Sequence, residues 1–92
     1  MQTATKPMNY GHGCCIMVLV GQKMGLDPQL ADVARKHLEG GELHPMYGAA
    51  MEKESIRMNG LLRYSAEKIA EANKHADALK VEFGFMAPKA AG

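Results

Sequence analysis

The sequence predicts an all-α fold: two short helices, then one long one, in a helical bundle completed by association. Three observations carry this. No proline occurs between Pro45 and Pro88, and Glu, Lys, Ala, Met and Leu, all good helix formers, dominate up to about Phe83. Apolar and small residues recur there at alternating steps of four and three. Upstream, Asp27-Pro28 and Gly40-Gly41 frame a short amphipathic segment with start and stop signals. With 92 residues, 47% hydrophobic and 23% charged, the chain has room for one domain. We divide it into an N-terminal arm (1–13), a single helical domain (14–86) and a tail (87–92).

The arm is rich in Thr, Pro, Asn and Gly and has no period. The first helix is expected from Cys14 to Met24, closed by Gly25, which suits the left-handed position after a helix. Its run of seven apolar residues, Cys14 to Val20, fits a buried strand as well, but nothing else in the chain offers a strand partner. The second helix starts with Asp27 as N-cap and Pro28 in the first turn. Leu30, Val33, Ala34 and Leu38 form its apolar stripe, and Gly40-Gly41 stops it.

Pro45 opens the third helix. Met51, Ser55, Met58, Leu62, Ser65, Ile69, Ala72, Ala76, Leu79, Phe83 and Met86 then make a heptad seam, with Gly60 as a weak point off it. A rod of this span is about 55–60 Å long, whereas each short helix covers only ~15 Å. The two short helices cannot cover the whole seam. Either the rod folds back near Gly60, or its seam pairs with a second copy or another helical protein, which Ser65, Ala72 and Ala76 would let approach closely.

Net charge is +1, which supplies no field for nucleic acid or an anionic membrane. No apolar run approaches the ~18 residues of a membrane helix. Only Lys6 precedes the apolar run and no clear cleavage motif follows it, so it makes a poor export signal. Two adjacent cysteines cannot build a disulfide framework. A cytoplasmic, reduced setting is the simpler expectation.

Chemistry concentrates in His12, Cys14 and Cys15. A thiol opening a helix sits at the positive end of the dipole, which favours thiolate, and His12 could act beside it. These residues point to a reactive thiol, a vicinal disulfide or a soft-metal site that His44 could join. Equally, both cysteines could simply begin an apolar core helix, since unpaired Cys is among the most buried residue types. No HExxH, phosphate loop, di-iron pattern or nucleophile elbow is present, and no cofactor is required. Glu52, Lys53, Glu54 and Arg57, like Glu67, Lys68, Glu71 and Lys74, read as exposed helix faces.

The run Gly11-His12-Gly13-Cys14-Cys15, then Lys23-Met24-Gly25-Leu26-Asp27, then Gly40-Gly41 and Tyr47-Gly48-Ala49-Ala50, resembles the bacterial C-GCAxxG-C-C family, whose members are described as redox-active. The resemblance covers about residues 11–50. It implies a helical scaffold with a cysteine opening the first helix, and only Cys14 carries over. Where that family has a cysteine before Gly-Ala, this chain has Tyr47, and no later cysteine follows. A thiol pair between the first and third helices is therefore absent. Two functions are thus expected from the sequence: a non-catalytic helical interaction module, as a homo-oligomer or accessory subunit, or a thiol or soft-metal protein centred on Cys14 and Cys15.

Overall fold

The computed structural model describes residues 5–88. It contains four helices: α1 (Tyr10–Lys23), α2 (Ala31–Leu38), α3 (Pro45–Leu62) and α4 (Ala66–Glu82). The expected all-α class holds. The long rod does not, because it is cut into α3 and α4 at residues 63–65.

The cut does not fall at Gly60, which stays helical. It falls where Ser65, in extended backbone, caps α4 by accepting from the Lys68 N–H at 3.1 Å. A hydroxyl that caps a new helix offers the backbone an alternative to continuing the old one. Ser65 is thus a helix boundary and not a small residue on a seam. At the far end Gly84, at φ 85, takes the left-handed position after α4, and the Phe85 N–H returns to the Lys80 carbonyl at 2.8 Å. Met86 lies past that stop.

Helix α1 is the axis of the molecule. It packs against α2, α3 and α4, while α3 and α4 barely touch each other. This accounts for the apolar run. Successive helical residues turn by about 100°, so seven of them face every direction, and only a helix enclosed by neighbours can use that. Cys14, Cys15, Ile16, Val18, Leu19 and Val20 are all buried, with Met17 half-buried.

The expected association seam is spent on this enclosure. Met51, Met58 and Leu62 from α3, and Ala72, Leu79 and Phe83 from α4, are buried in the chain's own core. Ala76 is half-buried, and Ile69 stands 44% exposed. Folding the rod in two lets α1 shield most of what the sequence left for a partner.

Two starts also move. α1 begins four residues before Cys14, because Asn9 and His12 form a capping box. Asn9 Oδ1 accepts from the His12 N–H at 2.8 Å, and His12 Nδ1 accepts from the Asn9 N–H at 3.2 Å. Residues 10–13 therefore belong to α1 and not to an arm. Lys6 is likewise anchored, donating its N–H to the Gly84 carbonyl at 2.9 Å. α2 begins at Ala31, later than Pro28, since Asp27 (φ 53) and Leu30 (φ 66) are both left-handed and no side chain caps it. Of the expected mobile ends, residues 1–4 and 89–92 lie outside the described residues, and Ala87 and Pro88 are exposed.

Glu54, read from the sequence as a surface residue, is 8% exposed. Its carboxylate accepts from Arg57 Nε at 2.8 Å and Nη2 at 2.7 Å, and from the backbone N–H of Gln29. This staples α3 to the turn between α1 and α2. The bidentate Arg57 guanidinium, with help from the Gln29 N–H, holds the Glu54 carboxyl below its usual range against the opposing effect of burial.

Candidate functional site

The first half of α1 and the near side of α3 enclose a groove on one face of a molecule only 17 Å thick along its shortest axis. Two cavities make it up. One, of about 250 Å³, reaches from Cys14 and Gly11 to Leu43, Gly48 and Ala49. The other, of about 310 Å³, runs between Gly13, Cys14 and Met17 on α1 and Ser55, Ile56 and Asn59 on α3. Cys14 and Tyr10 border both.

The helical period places these residues. Tyr10, Gly13, Cys14 and Met17 follow at i, i+3, i+4 and i+7 on one face of α1. Gly48, Glu52, Ser55, Ile56 and Asn59 follow in the same way on α3. Gly13 and Gly48 leave the walls bare, since a Cβ on either meets no atom within 4 Å. Ser55 turns its hydroxyl away to the Glu52 carbonyl at 2.8 Å. Above the floor stands Tyr10, 69% exposed, with its hydroxyl pushed up to about 12 first by the hydrogen bond to Glu52, then by burial and by the Cys14 thiol.

The two cysteines part company here. Both are free and buried. Cys15 is 0% exposed and faces the core, where burial and then the neighbouring Cys14 push its thiol up to about 11. That is an inert core thiol. Cys14 lies on the floor of the groove. It is the fifth residue of α1, one full turn past the start, so it has left the turn in which the dipole acts most strongly. Adjacent positions on a helix point about 100° apart, which rules out a vicinal disulfide without breaking α1.

The histidines do not join them. His12 belongs to the capping box and stacks on His37 at 4.9 Å and against Phe85 at 4.8 Å. Desolvation, and after it His37 and Lys6, pull its pKa down. The link before Pro45 does run beside α1, as a soft-metal site would need, but it brings Leu43 to the groove. His44 is the N-cap of α3 instead, accepting from the Met46 N–H at 3.2 Å. Among the described residues no group of three or more His, Cys, Asp or Glu side chains is placed to hold a metal ion. No helix among them is long and apolar enough to cross a membrane.

Sequence reasoning found Cys14 and missed the groove. The signal was present as the shared spacing of Tyr10, Gly13 and Met17, hidden by the continuous apolar run beside it. No protein-family model, curated protein or solved structure matches this chain.

Proposed function

We propose that the protein is a small non-catalytic helical module that works by association, through the groove face of α1 and α3. The observation that carries this is the distribution of apolar side chains that the fold leaves uncovered. Tyr10 on α1 and Ile56 on α3 border the groove and stand 69% and 62% exposed. An uncovered apolar patch rimmed by polar residues is the usual mark of a protein-binding surface. Either a second copy or the helix of a larger complex fits this reading. Native mass spectrometry tests it, with a species heavier than the 10.0 kDa chain expected. A lone chain that melts cooperatively and binds no apolar dye ends it.

A second reading, a thiol protein acting through Cys14, is favoured by one observation: this cysteine alone of the two borders the cavities. It is the reading to which the resemblance at residues 11–50 would lend weight. It predicts alkylation of Cys14 in the folded protein at neutral pH. Protection of both thiols until unfolding removes it.

A further inference from the structure

We propose that the stacked His12–His37 pair is an acid-operated latch, whose protonation frees residues 5–9 from the turn that follows α4.

Three segments distant in sequence meet at this stack. His12, in the first turn of α1, lies on His37 at the end of α2 with ring centres 4.9 Å apart. It also lies against Phe85, just past α4, at 4.8 Å. Residues 5–9, exposed along their length, bridge the same two places. At one end the Lys6 N–H donates to the Gly84 carbonyl at 2.9 Å, and the Lys6 ammonium stands 4.8 Å from the centre of the Phe85 ring. At the other end the Asn9 N–H donates to His12 Nδ1 at 3.2 Å. Pro7 stiffens the backbone between them. Phe85 touches both His12 and Lys6, so a shift of the His12 ring disturbs both ends of the segment.

The partners decide where a proton can go. His12 Nδ1 accepts, so the neutral ring carries its proton on Nε2, and the nitrogen left for a second proton is the one that holds Asn9. His37 is the reverse. Its Nδ1 stands 2.7 Å from the Gly41 carbonyl, which only accepts, so a second proton goes to Nε2 and leaves that bond intact. Charging His12 therefore removes a hydrogen bond from the segment, and charging both rings sets two cations face to face.

The surroundings oppose a positive charge on His12. Among the described residues, the charged groups that act on it are His37 from α2 and Lys6 from the N-terminal segment. The turn after α4 offers the Phe85 ring, which already carries the Lys6 ammonium. Glu82, the carboxylate in the last turn of α4, is taken by Arg35 of α2 at 2.8 Å. Helix α1 itself contains no Asp or Glu. Desolvation, and after it His37 and Lys6, lower the His12 pKa in the closed arrangement. The open arrangement therefore takes up the proton first. The latch is complete above the ordinary value of 6.5 and slackens as pH falls below it.

The test is residue-resolved amide exchange by NMR on the full chain, between about pH 7.5 and pH 5, for wild type and His12→Gln. Protection is taken relative to the free-chain rate at each pH. Glutamine at this position still completes a capping box and takes no proton, and circular dichroism checks that the variant folds. In wild type the Lys6 amide should lose about fivefold or more of its protection, the worth of one hydrogen bond. Leu19, in the core of α1, should keep its own. The Lys6 loss should share its midpoint with the His12 ring-proton shift and be absent in His12→Gln. Lys6 protection that does not change with pH overturns the proposal. A loss shared by Leu19 overturns it too, since that is unfolding of the whole chain, as does a loss that persists in His12→Gln. If the variant does not fold, the wild-type midpoints decide, and a Lys6 loss displaced from the His12 midpoint overturns the latch.

Discussion

The Met58 thioether occupies the space that a side chain on Gly21 would need. A Cβ built on Gly21 overlaps Met58 Sδ and comes within 2.7 Å of its Cγ. α1 and α3 are tightly packed here, and Met58 is 0% exposed. Gly21→Ala should therefore destabilise the fold by about 1–3 kcal/mol, as overpacking does. Gly13→Ala, in the same helix but facing open groove, should stabilise it by about 0.4–1 kcal/mol. Chemical denaturation of both variants measures the pair. Equal effects would mean that the two helices do not meet in this way.

The cysteines should react in sequence. With a thiol-specific chromophore at neutral pH, Cys14 is expected to be modified from the groove wherever no partner covers it, while Cys15 waits for unfolding. Because the Cys15 thiol is raised from its ordinary 9.0 to about 11, the unfolded chain loses that proton first as pH rises. The fold should hold this contribution below pH 9 and lose it progressively toward pH 11. Alkaline melting of wild type against Cys15→Ala reads it directly.

Acid should loosen the start of α1. The pKa of His12 is lowered in the folded chain, so the unfolded chain takes up its proton first. Stability is then complete above the ordinary value of 6.5 and falls as pH drops below it. Protonation also removes the Nδ1 lone pair that accepts from the Asn9 N–H, and it sets a cation beside His37 and Lys6. Hydrogen-exchange protection at the first turn of α1, taken relative to the free-chain rate at each pH, should fall below pH 6.5, and His12→Gln should blunt that response.

Glu54→Gln should cost about 1.5–3 kcal/mol, the range for hydrogen bonds to a charged group. The loss should appear as early opening of the turn around Gln29. Since the Glu54 carboxyl is held below its ordinary 4.5, wild type should lose this stabilisation as pH falls below 4.5, whereas the variant should not. Paired urea titrations at neutral and acid pH separate the two.

Legibility followed how local each signal was. Pro45 and the glycines after α1 and α2 act through their own backbone, and they read directly: α3 starts at Pro45, α1 ends before the left-handed Gly25, and α2 ends just before Gly40. The heptad spacing also identified the right buried residues, Met51, Met58, Leu62, Ala72, Leu79 and Phe83. It could not say what buries them. A stripe facing its own α1 has the same period as one facing another chain, and the decision lay in a single capping serine that fits the pattern of small residues around it. Glu54 was opaque for a related reason. Its spacing to Arg57 suits an exposed ion pair, and only the turn at Gln29, brought over from 25 positions away, makes it buried. The groove was least legible, because it is made by two helices and belongs to neither.

An axis with neighbours on all sides leaves its mark on which substitutions a chain tolerates. In α3 and α4 a scan of every residue should give stripes, forbidden positions alternating with free ones at helical spacing. Across positions 14–21 those stripes should merge into one solid band, broken only at Met17, where the enclosure opens.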